Sequence, residues 1–197
     1  MEMNKYLTED EERKLFAAVG SVKGVYAERD WAWMWLLRHT GMRIGALAGL
    51  TIGDARKALM RGRLELKAEH AKRGNGYDVP VNKKAKSALR LLIKCSQTMG
   101  YTTQPDQSLV MGRNHQGLTI RSFQDRMRHW ADLCGLDSNI TCHSFRHTLA
   151  IRIMDRSTAN DPRAMAQAAL GHRCADSTLI YTQPRKEDLA VAMEEAS

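Results

Sequence analysis

An imidazole and a guanidinium stand three residues apart at His143 and Arg146. In a helix, positions i and i+3 share a face, so both groups can aim at one point. His172 follows a Leu-Gly pair, and Tyr181 comes nine residues later. The chemistry open to such a set is attack on a phosphodiester. A cationic fork suits the phosphate oxygens, imidazoles move protons near neutral pH, and a phenol is a nucleophile once its proton is drawn off.

Each residue alone has a plainer reading. Tyr181 is one of five tyrosines, His147 beside Arg146 reads as packing, and an imidazole at 172 could simply close a helix. The set has to be judged by the elements that carry it. Thr8 and Glu11 form a capping box for a first helix, which runs to about Val19 with Leu15, Phe16 and Val19 on one side. Tyr26 to His39 forms a second helix, with Trp31, Trp35 and Leu36 as its core face and Gly41 as its end. Residues 63–69 alternate as a strand and Tyr77 to Val81 form another, joined through Gly74-Asn75-Gly76, which has turn chemistry. Asn82 caps a helix to about Met99, with Leu89, Leu92 and Ile93 as its apolar stripe and Lys83, Lys84, Lys86 and Arg90 on its basic side. Leu109 to Met111 reads as a third short strand. Thr119 caps a helix to about Cys134 with Phe123, Met127, Trp130 and Leu133 as core. His143 starts the next helix, and residues 156–160 form a surface loop. Asp161-Pro162 is a strong helix start, and Gly171 closes that helix. After Pro184 comes a short amphipathic tail containing Leu189, Val191, Ala192 and Met193.

With 197 residues, 43% of them hydrophobic and 26% charged, the chain fits one globular domain. Its apolar runs are too short to span a bilayer, and no secretory leader is visible. The net charge of +8 and pI near 9.5 point to a polyanionic partner. The charge is concentrated: residues 61–94 hold ten Lys or Arg against Glu65, Glu69 and Asp78. Cys95, Cys134, Cys142 and Cys174 show no close pairing and read as reduced thiols of a cytosolic protein. Cys142, His143, His172 and Cys174 make a poor zinc set, because no Cys-x-x-Cys pair exists among them.

His143-Ser-Phe-Arg-His-Thr148, then Leu170-Gly-His172, then Thr178-Leu-Ile-Tyr181 resembles the catalytic core of the tyrosine recombinases, the phage integrase family. Thr40-Gly-Met-Arg43 is similar to that family's first arginine motif. Ala46 departs from it, standing where the family usually carries Glu or Asp. The family's lysine sits in a β-turn upstream of a Val-Pro strand end. Here Val79-Pro80-Val81 fits and Lys72 is the match, Lys67 being its competitor in the strand.

The resemblance covers Thr8 to Pro184 and implies an α+β fold, mainly α-helical, with a small antiparallel sheet. It implies a site-specific recombinase or integrase that cuts and rejoins DNA strands through a 3′-phosphotyrosine. Arg43 and Arg146 would hold the phosphate oxygens, and His143 would help Tyr181 lose its proton. Lys72 would protonate the leaving 5′-oxygen, and His172 would hydrogen-bond the phosphate. Arg73, Lys83, Lys84, Lys86, Arg121 and Arg128 would meet DNA, with Arg126 also free for the backbone. No metal or cofactor is called for, since the arginines supply the positive charge.

The expected partner is double-stranded DNA. A homotetramer would form on it, with a monomer possible in its absence and no membrane involved. The expected setting is the cytoplasm, in a bacterial, archaeal or phage-encoded protein. The expected organisation is a single catalytic domain over 1–197 without the family's N-terminal clamp domain, and a tail helix over 185–197 exchanged between protomers. Two other readings stand beside this one: a type IB topoisomerase-like activity, and a DNA-binding relative weakened in cleavage by Ala46.

Overall fold

The computed structural model describes residues 6–66 and 77–171. Four of its helices open on the caps expected from the sequence. Thr8 Oγ1 accepts from the Glu11 amide, and the Glu11 carboxylate accepts from the Thr8 amide in return. That box starts α1 (Glu9–Ser21). Asn82 starts α5 (Lys83–Thr98), Thr119 starts α6 (Ile120–Leu133), and Asp161 with Pro162 starts α8 (Pro162–Leu170). Each side-chain oxygen satisfies an amide that would otherwise lack a partner in the first turn.

The remaining elements are α2 (Val25–Thr40), α3 (Ile44–Ala48), α4 (Ile52–Arg61), the antiparallel pair β1 (Arg63–Leu66) and β2 (Tyr77–Pro80), and α7 (Cys142–Arg156). Arg63 pairs with Pro80 and Leu66 with Tyr77, so Leu64 and Val79 share the buried face of the ribbon. The result is the mainly helical α+β fold expected, with one small sheet. The Lys67–Glu69 end of the expected first strand falls outside the described residues.

α2 is the axis of the domain. α1, α5 and α7 all pack on it; Leu36 is in the core as expected, but Trp31 and Trp35 are not its buried face. Trp33, Met34, Leu36 and Leu37 are fully buried, whereas Trp31 and Trp35 are only partly so. A helix enclosed on several sides has no single apolar stripe to read. Trp31 and Trp35 instead stack on each other at 4.9 Å and meet Phe16 of α1 edge-on at 5.7 and 4.7 Å.

Two other expectations fail. Leu109 to Met111 is not a sheet strand. The Leu109 amide donates to the Leu50 carbonyl, and the Val110 carbonyl accepts from the Leu118 amide. The segment is thus clamped between two loops by isolated bridges, although all three side chains are buried. Leu133 is 62% exposed, because the last turn of α6 runs past the edge of the core that Phe123, Met127 and Trp130 enter.

Asp30 on α2 is wholly buried and collects donors from two helices. Its Oδ1 accepts from Arg29 Nη2 at 2.9 Å and Trp33 Nε1 at 3.2 Å. Its Oδ2 accepts from Trp130 Nε1 at 2.9 Å and from Arg126. Arg126 is therefore not free for DNA, as the sequence alone suggested, but is the countercharge of a buried carboxylate. A second bridge ties α1, α2 and α7: Glu12 Oε2 accepts from Arg38 at 2.7 Å and Arg152 at 2.9 Å.

Candidate active site

Thr141 positions the first functional side chain. Its hydroxyl accepts from the His143 amide at 3.3 Å, and the Ser144 hydroxyl accepts from the Thr141 amide at 3.0 Å. His143 thus sits in the opening turn of α7, exposed on one side, with His147 edge-on at 4.5 Å on the other. One turn along, Arg146 points inward and is only 1% exposed.

Arg146 joins segments that are distant in sequence. Its Nη1 donates to the Gly41 carbonyl, two residues before Arg43. Its Nη2 donates to the Leu170 carbonyl at 2.8 Å, two residues before His172. Both acceptors are carbonyls at helix ends that take a left-handed glycine. Gly41 closes α2 at φ 61°, and Gly171 closes α8 at φ 61°. A β-carbon at Gly41 would come within 2.6 Å of Leu170 Cδ2 and 2.8 Å of Leu149 Cδ2. That position needs glycine for both its conformation and its close packing.

Arg43 caps α3 with an extended backbone and is half-buried. Among the described residues it makes no ion pair. His143 has its pKa held below the usual imidazole value, first by partial burial and then by the charges of Arg146 and Arg43. The charges of both arginines thus reach His143. Near neutral pH the imidazole is neutral and able to accept a proton. Ala46 is buried in α3, so the chain has a methyl group where the family pattern has a carboxylate.

A cleft of about 320 Å³ opens beside His143, lined by Ile44 of α3, Gln124 and Arg128 of α6, and Ser138, Ile140, Thr141, Cys142 and His143. Arg128 thus lines the cleft beside His143. Arg121 is exposed, is not among the residues lining the cleft, and pairs with Asp125 at 3.1 Å. Lys83, Lys84 and Lys86 are on α5 and line no part of this cleft. Lys72, Arg73, His172 and Tyr181 fall outside the described residues. Sequence reasoning missed Gln124 as a wall of the cleft, and missed the Gly41 and Leu170 carbonyls as acceptors for Arg146. Gln124 had a signal, being one helical turn before Arg128, but backbone acceptors leave none.

This mainly helical fold, with His143 and Arg146 one turn apart on α7 and Arg43 at the start of α3, agrees with the sequence comparison. The profile of the phage integrase family matches residues 5–188. The chain belongs to the phage integrase family. It is 31% identical to the tyrosine recombinase XerC of Azotobacter vinelandii over 172 residues, which are 86% of this chain and 53% of that protein. The chain spans about half the length of the curated relatives it matches. In structure it resembles the XerA recombinase (TM-score 0.75, 22% identity), covering 100% of this chain and 65% of that one. It also resembles the Tn1549 transposon integrase in complex with transposon right-end DNA (TM-score 0.76, 18% identity), covering 99% and 67%.

Proposed function

We propose that this chain is the catalytic part of a site-specific tyrosine recombinase acting on double-stranded DNA. The observation that carries this is Arg146, bonded to the Gly41 and Leu170 carbonyls beside both the Arg43 and the Leu-Gly-His motifs, with His143 one turn away on the same helix. Membership of the phage integrase family and the likeness to XerC support the same reading over a topoisomerase or a binding-only relative.

Attack on the scissile phosphate builds negative charge on its non-bridging oxygens. Guanidiniums already held in place stabilise that charge without reorganising, and one such donor is worth roughly 3 kcal/mol. Tyr181 attacks phosphorus, forming the tyrosyl–phosphate bond as the bond to the 5′-oxygen breaks. The phenol proton passes toward neutral His143, Lys72 protonates the departing 5′-oxygen, and His172 hydrogen-bonds the phosphate. The phosphotyrosine retains the energy of the original diester, so a second 5′-hydroxyl can reverse the step without a nucleotide cofactor. Cleavage of two sites calls for several protomers on DNA, a tetramer in the simplest arrangement, with residues 185–197 exchanged between neighbours.

Covalent trapping tests the chemistry. The protein is mixed with a library of nicked duplexes, and complexes resistant to SDS are recovered and mapped by mass spectrometry. A DNA adduct on Tyr181, lost in Tyr181→Phe, is the expected result. Duplex binding without any adduct would leave only a DNA-binding relative.

A further inference from the structure

α5 carries Lys83, Lys84, Lys86, Arg90 and Lys94 and not one aspartate or glutamate. Lys84 turns toward the Trp35 ring, 5.5 Å from its centroid. The other four form a stripe, since at 3.6 residues per turn they stay within about 80° of one another. The stripe is opposite Ala88, Leu89 and Leu92, which are buried in the core where α5 packs on α2. It rises roughly 16 Å along the helix. Arg61, exposed at the end of α4, extends it sideways: Lys86 Nζ stands 3.9 Å from where a β-carbon on the adjacent Gly62 would be.

None of these five cations pairs with a carboxylate among the described residues. Asp78 of β2 is held by Arg63 at 3.3 Å. A solvated helix face normally interleaves signs, because opposite charges at i and i+4 attract and like charges repel. Lys86 with Arg90, and Arg90 with Lys94, are like-charged pairs at that spacing. Among the described residues no carboxylate relieves their repulsion, and a polyanion laid along the stripe supplies that relief.

The stripe looks away from α2, whereas α7, which carries His143 and Arg146, packs on α2. We infer that the α4–α5 ridge is a second surface for the phosphate backbone of duplex DNA, taking a segment other than the one at the His143 cleft. This rests on the DNA reading above. Duplex DNA carries one charge per ~1.7 Å of its axis, so a ridge of this length meets several phosphates. Contacts of this kind position a duplex without reading its sequence.

The test is the number of short labelled duplexes bound per protomer at low salt, followed by fluorescence anisotropy. The wild type takes two and the Arg61→Gln/Arg90→Gln/Lys94→Gln variant takes one. The charge-conserving Arg61→Lys/Arg90→Lys/Lys94→Arg variant again takes two. The salt slope of the second step reflects about 0.9 per phosphate contact. One duplex on the wild type, or two on the glutamine variant, overturns the ridge. No duplex at all on the wild type overturns the DNA reading itself. Should the glutamine variant lose its circular dichroism spectrum, acetylation of wild-type Lys94 decides: protection by the second equivalent of duplex supports the ridge, and full reactivity overturns it.

Discussion

Arg146 shows how one side chain can serve structure and chemistry together. Its buried fork bonds the Gly41 and Leu170 carbonyls, so the segments leading to Arg43 and His172 are held by the same guanidinium. Lysine has the charge but not the fork. Arg146→Lys is expected to lower the rate of Tyr181 adduct formation by on the order of 10²–10³-fold, and to lower the urea midpoint as well. An unchanged midpoint with lost activity would mean that the two carbonyl bonds hold nothing. His39 supplies a second prediction. Burial, with Arg38, Lys84 and Arg152 nearby, pushes its pKa down to about 4, and its Nε2 has no hydrogen-bond partner among the described residues. The unfolded chain then binds more protons than the folded one between pH 6.5 and about 4, so stability rises with pH across that window. Lowering the pH through it should cost about 2 kcal/mol after allowance for solvent screening of the partly exposed ring. His39→Gln should flatten that part of the profile in urea titrations at several pH values.

At the scale of elements, the caps made most of the fold legible. Thr8, Asn82, Thr119 and Asp161 each mark a helix start because a short polar oxygen beside an apolar repeat has few other uses. The central helix was legible in its limits but not in its orientation, since Trp31, Trp33 and Trp35 alternate along a segment enclosed by three neighbours. Asp30 and Arg126 were not legible as partners, being 96 residues apart. Asp30→Asn keeps the shape of that junction and removes its charge, leaving Arg29 and Arg126 without their shared carboxylate. The expected cost is about 3–5 kcal/mol, measured as a shift in chemical unfolding. Loosening between α2 and α6 would appear as faster amide exchange in α6. A loss within experimental error would show that solvent compensates the arginines.

For the whole molecule, the proposed exchange of the tail makes assembly separable from binding. Deleting residues 186–197 is expected to reduce multimer formation on DNA in sedimentation velocity while leaving binding to a single site intact. Equal assembly with and without those residues would remove the tail from the interface. The described residues contain no helix long and apolar enough to cross a membrane.

The sequence by itself determined most of the helix starts and the mainly helical class. These depend on residue type at short separations, where spacing and capping act directly. Only the tertiary structure decided which charges belong to the site and which to the core. Arg126 and Arg128 are two residues apart on α6, yet one pairs with buried Asp30 and the other lines the cleft beside His143. It likewise decided that Arg146 bonds carbonyls 105 and 24 residues away. A backbone carbonyl is present at every residue, so no sequence pattern marks the two that the folded chain brings to one guanidinium.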